Sequence, residues 1–287
     1  MITQEHDYSV NLNLRTKFIF STSGSASSII KHNDAIRKLG LNLVYFTLDE
    51  PVTPEGYAAL VRSPLARGAA VTGRGGLKSS IIPFLDEVES LAMKTLAVNT
   101  IVNNDGKLYG YNSDAIGLKT ALIKGLKTSG LDIRTAVIYG NGGVSGVAFH
   151  VLTELGIKVM MMGRDPGHVL EKKKQLGIEH IAGFEGPYDL VVDATPVSSD
   201  PDFLHAAGLS ELLDGCKMVF CHNMPEKDNK INYLEKYCLE NKLYFIPGKW
   251  MYYAQLAKQY YLLFEGYNKQ DGSPVSEQDI LETWKLE

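Results

Sequence analysis

The sequence predicts an α/β protein with two domains. Short apolar runs of the kind that form buried strands alternate with helical patterns almost from end to end, which is typical of a parallel sheet flanked by helices. A chain of 287 residues is long for one hydrophobic core and comfortable for two. A glycine-rich turn near the middle of the chain, between a strand pattern and an amphipathic helix pattern, indicates the fold of the second half.

The first part of the chain contains three strand patterns and three helix patterns. Apolar β-like runs predict strands at Lys17–Ser21, Leu43–Thr47 and Gly68–Thr72. Apolar residues at three- and four-residue spacing predict helices at Ser28–Leu39, Pro54–Arg62 and Phe84–Leu96. These elements are expected to form an N-terminal α/β domain.

Five strand patterns follow in the second part and predict a parallel sheet. The strands are predicted at Ala136–Tyr139, Lys158–Met162, Leu190–Ala194, Met218–Cys221 and Tyr244–Ile246. The helices are predicted at Gly143–Leu155, Pro166–Leu176 and Asn229–Asn241.

The last segment is helical, with patterns at Lys249–Phe264 and Val275–Lys285 and no strand between them. Because it offers no strand, it cannot extend the second sheet, and we expect it to return to the first domain. The predicted boundaries assign residues 1–116 and 250–287 to one domain and residues 117–249 to the other.

Composition excludes several classes of function. Lysine plus arginine (29) against aspartate plus glutamate (33) gives a net charge of −4 without a long block of either sign, so no nucleic-acid partner is expected. No signal peptide or membrane span is evident, and we expect a cytoplasmic monomer or homodimer that binds a small molecule. The three cysteines, without C-x-x-C spacing, indicate reduced buried thiols and no metal site: Cys216, Cys221 and Cys238.

The strand pattern that ends at Tyr139 is followed by the turn G-N-G-G-V-S-G. Glycines let the backbone turn sharply and approach a phosphate, and the free N–H groups of the next helix offer donors and the positive end of the helix dipole. The predicted cofactor contacts in the turn are Gly140, Asn141, Gly142 and Gly143. A strict G-x-G-x-x-G would have its third glycine at Ser145, so the motif is a variant. It predicts a Rossmann-type, dinucleotide-binding domain, with a glycine turn of some other α/β protein as the alternative.

The next strand pattern ends in G-R-D-P, the place that meets the adenosine ribose in a dinucleotide fold. Arg164 offers a planar cation suited to a 2′-phosphate, whereas a carboxylate would favour the 2′-hydroxyl of NAD. Asp165 is explained otherwise, because Asp before Pro166 is typical of a helix N-cap. The sequence therefore favours NADP over NAD, with a solvated arginine as the alternative. Thr195, in D-A-T-P after a later strand, is a further candidate by position.

A hydride-transfer enzyme that acts on an alcohol needs a group that exchanges the hydroxyl proton and a partner that keeps this group in the right state. Lys78, in T-G-R-G-G-L-K, and Asp114, in Y-G-Y-N-S-D-A-I-G, are the candidates. Each alone has a plainer explanation, Lys78 as surface charge and Asp114 as the cap of a helix that starts at Ala115.

The longer stretch that contains Asp114 carries a resemblance. L-A-V-N-T-I-V-N-N-D-G-K-L-Y-G-Y-N-S-D-A-I-G resembles the shikimate and quinate dehydrogenase family, whose pattern is A-x-x-x-G-A-V-N-T, a short hairpin and G-x-N-T-D-x-x-G. The resemblance extends from the pair His32 and Asn33 to G-K-W-M-Y-Y-A-Q-L-A near the C-terminus. It implies a reversible, NADP-linked oxidation of a cyclic polyol carboxylate at one ring hydroxyl.

The resemblance also implies roles for individual residues. The family's catalytic lysine, which precedes an aspartate by about eight residues, corresponds to Lys78 before Asp86, and its catalytic aspartate corresponds to Asp114. The family's substrate-binding residues correspond to Thr72, Asn99 and Gln255. A methionine that lies against the nicotinamide corresponds to Met251, one helical turn before Gln255, with an ordinary core methionine as the alternative.

The serine segment departs from the family pattern S-x-S-P-x-x-H-N, in which two hydroxyls bind the substrate carboxylate. This chain has S-T-S-G-S-A-S-S-I-I-K-H-N, without the proline. Counting back from His32 puts Ser28 and Ala26 in the serine places, whereas one inserted residue brings in Ser25 and Ser27. Both registers stay open, and the implied substrate is shikimate, quinate or an amino-substituted ring.

Other substrate contacts are altered as well. Ala70 stands where the family has the asparagine of N-V-T, and Asn223 stands where it has a tyrosine. Arg74, in the glycine-rich loop before Lys78, is hypothesised to bind a carboxylate or phosphate, with a solvent-facing arginine as the alternative. These departures motivate a second hypothesis, an NADP-binding sensor or interaction module with little turnover. Lys78 and Asp114, which are retained, favour the enzyme hypothesis over the sensor hypothesis.

Overall fold

The computed structural model describes residues 10–24, 26–48, 51–72, 76–177, 187–206, 208–224 and 231–285. The chain forms two compact units, Met1–Ser113 with Leu256–Glu287, and Asp114–Gln255. Within the described residues, no helix is both long enough and apolar enough to cross a membrane.

The first unit is built on a six-stranded mixed sheet. Its strands are β1 (Lys17–Ser21), β2 (Leu43–Thr47), β3 (Ala66–Ala70), β4 (Glu87–Val88), β5 (Thr100–Asn104) and β6 (Lys107–Tyr111). They lie in the order β2-β1-β3-β5-β6-β4, with β1 parallel to β2 and β3, and β5 antiparallel to β3 and β6. The helices that follow these strands are α1 (Ala26–Lys38), α2 (Pro54–Val61), α3 (Leu77–Ser80) and α4 (Ser90–Thr95).

The predicted helix Phe84–Leu96 is confirmed only at Ser90–Thr95 and is wrong before that residue range. A 3₁₀ turn at Ile82–Phe84 and the two-residue strand β4 precede the short helix α4. The N–H of Asp86 donates to the carbonyl of Leu108 at 3.0 Å, and the Asp86 carboxylate accepts the Leu108 N–H at 2.7 Å. The segment therefore satisfies its backbone against β6 and forms the edge strand β4, a long-range pairing that overrides the local helical spacing.

The second unit contains a five-stranded parallel sheet. Its strands are β7 (Thr135–Tyr139), β8 (Lys158–Met162), β9 (Leu190–Asp193), β10 (Met218–Cys221) and β11 (Tyr244–Pro247). They lie in the order β11-β10-β9-β7-β8. From β7 the chain adds β8 on one side of the sheet and then β9, β10 and β11 on the other side, so the strand order reverses between β7 and β9. The helices are α5 (Ser113–Ser129), α6 (Gly143–Glu154), α7 (Pro166–Gln175), α8 (Leu209–Leu213), α9 (Tyr233–Glu240) and α10 (Gly248–Phe264). The Rossmann-type prediction is thus confirmed, and ligands of such sheets bind outside the carboxyl ends at the reversal.

Two predicted elements have shifted bounds. The strand predicted at Gly68–Thr72 is Ala66–Ala70. The helix predicted at Asn229–Asn241 starts at Tyr233, because the Asn232 side chain accepts the N–H of Glu235 at 3.1 Å and caps the helix there.

The chain returns to the first unit at Leu256, within α10, so the second half of α10 and the last helix belong to that unit. The last helix, α11 (Glu277–Trp284), starts at a capping box formed by Ser276 and Asp279. Trp284 is 2% exposed, and its indole N–H donates to Nδ1 of His32 at 3.0 Å. The ring of Tyr260, from α10, lies 4.5 Å from that of Trp284. An aromatic core therefore joins both ends of the chain within this unit.

Candidate active site

A cavity of about 490 Å³ lies in the second unit, outside the carboxyl ends of its strands. Its lining comes from the segments that follow β7, β8 and β9, including Gly140, Gly163 and Thr195. The reversal of strand order lies between β7 and β9, which is where an α/β sheet binds its ligand. The position and size of this cavity suit part of a nucleotide.

The glycine turn at this cavity has no room for a larger first residue. Gly140 has φ +115°, and a Cβ there would lie 2.7 Å from Cγ2 of Thr195 and 3.1 Å from the carbonyl oxygen of Ala194. Gly142 precedes the first residue of α6, Gly143, around which nothing lies within 4 Å of an added Cβ. The helix N-terminus therefore stands open to an approaching anion.

Ser145 explains why the motif works without its third glycine. Its side chain is buried, and its hydroxyl donates to the carbonyl of Gly142 at 2.6 Å. The small side chain of Ser145 thus fits at the position of the third glycine, and its hydrogen bond stabilises the turn.

Thr195 is fixed by a buried carboxylate. Oδ1 of Asp193 accepts the Thr195 hydroxyl at 2.6 Å and the Thr195 N–H at 2.9 Å. Burial raises the pKa of the Asp193 carboxyl, although these two donors act in the opposite direction. The Cγ2 methyl of Thr195 is therefore held facing the glycine turn.

One edge of the cavity carries three ionisable side chains. Arg164 is exposed there, and Asp165 caps α7 as predicted, accepting the His168 N–H at 3.1 Å. The imidazole Nδ1 of His168 lies 3.3 Å from Oδ2 of Asp165. His168 was not identified from the sequence, although its position three residues after an N-cap aspartate was a usable signal.

In the first unit, Asn99 is the centre of a buried polar network. Its Nδ2 donates to the Ser113 hydroxyl at 3.0 Å, and its Oδ1 accepts the Ser113 N–H at 3.0 Å. Nε2 of Gln259 donates both to the carbonyl of Asn99 and to the hydroxyl of Thr100, each at 3.0 Å. Gln259 and Ser113 are thus partners of Asn99 that sequence reasoning missed.

The Asn99 network adjoins both predicted catalytic residues. The N–H of Val98, next to Asn99, donates to the carbonyl of Lys78 at 2.8 Å, and the Lys78 side chain is half-buried. Ser113 immediately precedes Asp114, which is 8% exposed in the first turn of α5. The network therefore anchors the backbone beside each residue.

Thr72 belongs to a cluster of hydroxyls. The Thr22 hydroxyl donates to the carbonyl of Thr72 at 2.6 Å, and the hydroxyls of Ser23 and Thr72 lie 2.6 Å apart. Thr22 and Ser23 directly follow β1, and this position was the signal that could have identified them. Ser28 is half-buried in α1, whereas Ser25, the Ser27 side chain and Arg74 lie outside the described residues.

Met251 and Gln255 lie in α10 within the second unit, where α5 packs closely against them. A Cβ on Gly117 would lie 2.5 Å from the Met251 carbonyl oxygen and 2.7 Å from Cβ of Gln255. Met251 is buried and Gln255 half-buried. Gly117 is the final glycine of G-Y-N-S-D-A-I-G, so this motif has a packing reason for ending in glycine.

The altered positions have local partners of their own. The Tyr57 hydroxyl donates to the carbonyl of Ala70 at 3.0 Å. Nδ2 of Asn223 donates to the hydroxyls of Ser198 and Ser199 at 3.0 and 2.9 Å. Across the described ranges, no group of three or more His, Cys, Asp or Glu side chains is placed to hold a metal.

Known proteins share this sequence and fold. The shikimate dehydrogenase (NADP(+)) of Halothermothrix orenii is 36% identical over 206 residues, covering 62% of this chain and 66% of that protein. That of Geobacillus kaustophilus is 33% identical over 187 residues, covering 61% and 66%. The shikimate 5-dehydrogenase of Thermus thermophilus, solved with NADP(H) and shikimate, has a TM-score of 0.70 at 25% identity over 94% of this chain and 98% of that chain. The chain belongs to the shikimate dehydrogenase family.

It is a divergent member of that family. No protein-family model matches it. The relatives confirm the resemblance that the motifs indicated. The divergence lies in the serine segment, at Ala70 and at Asn223, where the family pattern is altered.

Proposed function

We propose that this protein is an NADP-dependent oxidoreductase of shikimate dehydrogenase type. It transfers a hydride reversibly between NADP(H) and a ring hydroxyl or ketone of a cyclic polyol carboxylate, either shikimate or a close analogue. The observation that carries the proposal is the Asn99 network, which anchors the backbone beside both Lys78 and Asp114. Relatives named shikimate dehydrogenase (NADP(+)) support the reaction and the cofactor.

The cavity of the second unit supports the binding of part of NADP. Gly140 has no space for a side chain, and a glycine at this position of a dinucleotide-binding fold permits the tight turn that precedes the phosphate site. Gly142 and Gly143 present the N-terminus of α6 to the pyrophosphate, and Arg164 would meet the 2′-phosphate. When bound, NADP accepts or returns the hydride.

Lys78 exchanges the proton of the reacting hydroxyl in this proposal. In the reducing direction its ammonium group protonates the oxygen that develops charge as the carbonyl carbon is reduced. Asp114 accepts a hydrogen bond from the same substrate hydroxyl and orients it. Asn99, Gln255 and the hydroxyls of the Thr72 cluster hold the remaining polar groups of the ring.

The direct test incubates the purified protein with NADP or NAD and, in turn, shikimate, quinate and amino-substituted ring acids. Absorbance of the reduced nicotinamide reports the reaction. We expect turnover with NADP and at least one of these acids. Cofactor binding without turnover on any acid would instead favour an NADP-binding sensor.

Gln259 is expected to act as a positioning residue for Asn99. Gln259→Leu removes two donated hydrogen bonds from a buried site, which predicts a loss of about 1 to 3 kcal/mol in the free energy of unfolding. It also removes one of the two hydrogen bonds that the Asn99 carbonyl accepts, so KM for the acid should rise while the affinity for NADP stays unchanged. Urea titration, steady-state kinetics and cofactor titration measure the three quantities.

The matched control is Gln278→Leu in α11, where the exposed side chain bonds only across one helical turn to Glu282. This variant should leave both KM and stability nearly unchanged. A purely structural role for Gln259 would be indicated if stability fell and KM did not move.

A further inference from the structure

The Asp193 carboxyl is fully buried behind the cavity of the second unit. Asp193 ends β9, directly before Ala194 and Thr195, which line that cavity. Its Oδ1 accepts both the hydroxyl and the N–H of Thr195. The neighbouring base is His222, whose Nδ1 lies 3.1 Å from the backbone carbonyl oxygen of Asp193 and, within the described residues, forms no ion pair with its carboxyl. A buried carboxylate without a positive partner is costly, which favours the neutral acid.

The second carboxyl oxygen faces a thiol that has one hydrogen to donate. Sγ of Cys221 lies 3.5 Å from Oδ2 of Asp193 and 3.7 Å from the carbonyl oxygen of Asn223. The Asn223 carbonyl can only accept, so the thiol donates there and the sulfur is left as an acceptor. A proton on Oδ2 of Asp193 then completes both contacts, whereas an ionised carboxylate would compete with the carbonyl for the thiol hydrogen. Burial also raises the pKa of the Asp193 carboxyl.

We propose that Asp193 is a protonated carboxylic acid that positions Thr195 at the cofactor cavity, and that its ionisation weakens cofactor binding. The proposal rests on the NADP assignment made above. The neutral acid accepts the two Thr195 donors without placing a charge behind the glycine turn. The ionised form adds a negative charge two residues before Thr195, and this charge repels the anionic cofactor with little screening by water. The affinity for NADP therefore falls as the pH rises through the pKa of Asp193.

The other titratable groups that face this carboxyl are Tyr139, Cys221 and His222. Burial raises the pKa of the Cys221 thiol well above its usual range, and the negative charge of Asp193 raises it further. Burial and Asp193 likewise raise the pKa of the Tyr139 phenol. Both groups therefore stay neutral up to about pH 9, and measurements above about pH 7.5 avoid the range in which histidines ordinarily change charge.

Titration calorimetry of NADP with wild type and with Asp193→Asn, at about pH 7.5 and about pH 9, tests the coupling. Phosphates are fully ionised throughout this window. The wild-type dissociation constant should rise about tenfold, the effect of a repulsion between two unit charges about 10 Å apart at an effective dielectric constant of about 20. Asp193→Asn keeps an oxygen acceptor for Thr195 and cannot ionise, so its dissociation constant should not change. An equal pH dependence in the two proteins would overturn the proposal.

Infrared spectroscopy of the wild type measures the protonation state directly. At about pH 7.5 we expect the carbonyl stretch of a protonated carboxyl group, which Asp193→Asn should lack. A wild-type spectrum without this band would overturn the proposal even if the variant did not fold.

The matched control is Asp200→Asn, which removes an exposed carboxylate that lines the same cavity. It should keep both the infrared band and the wild-type ratio of the two dissociation constants. Failure of NADP to bind wild type at either pH would overturn the NADP assignment. NADP binding that does not respond to Asp193 would overturn only the role of Asp193.

Discussion

Lys78→Met is expected to lower kcat by about 10²- to 10⁴-fold, because positioned proton transfer contributes an acceleration of that size. The affinity for NADP should not change, since Lys78 lies in the first unit and the nucleotide cavity is formed entirely by the second. Methionine fills a volume similar to that of the lysine stem and cannot exchange a proton. Steady-state kinetics in both directions and a cofactor titration measure the two quantities.

The fold should survive this substitution, because the hydrogen bond from the Val98 N–H to the Lys78 carbonyl joins backbone atoms that Lys78→Met retains. Lys94→Met is the matched control, since Lys94 is an exposed lysine on α4 of the same unit. It should retain wild-type kcat. Full turnover of Lys78→Met would remove Lys78 from the mechanism, and equal losses in the two variants would indicate a general effect of charge.

The local sequence pattern was sufficient to predict the bounds of those elements whose conformation depends mainly on their own residues. β1, β2, β8 and β10 have the predicted bounds, and the glycine turn opens α6 as expected. The segment after Phe84 failed because its structure depends on β6, more than 20 residues further along the chain. Apolar spacing alone cannot reveal that an edge strand will be needed there.

The candidate site shows the same difference between what local sequence predicts and what long-range contacts determine. Thr72 and Asn99 were found from motifs, whereas their partners come from distant parts of the chain. Thr22 is separated from Thr72 by 50 residues, and Gln259 from Asn99 by 160. A single sequence carries no signal for such pairings. Among the described residues, the hydroxyls of Thr22 and Ser23, which follow β1, lie next to Thr72.

Gly140→Ala is expected to destabilise the second unit by about 1 to 3 kcal/mol and to weaken NADP binding strongly. The residue has φ +115°, which an L side chain rarely adopts, and the new methyl would lie 2.7 Å from Cγ2 of Thr195. Thr195 cannot rotate aside without losing the 2.6 Å bond from its hydroxyl to Asp193. Relief must therefore come from the backbone of the glycine turn. Urea unfolding and nucleotide titration measure both effects.

Two companion variants separate backbone strain from loss of the phosphate approach. Thr195→Ser keeps the hydroxyl and removes the methyl, so in combination with Gly140→Ala it should restore part of the stability, a coupling visible in a double-mutant cycle. Gly143→Ala adds a methyl where nothing lies within 4 Å, and alanine is about 1 kcal/mol more favourable than glycine inside a helix. It should leave stability equal or higher while still weakening NADP binding, because the methyl obstructs the helix N-terminus. Unchanged affinity in Gly143→Ala would mean that the pyrophosphate does not approach α6.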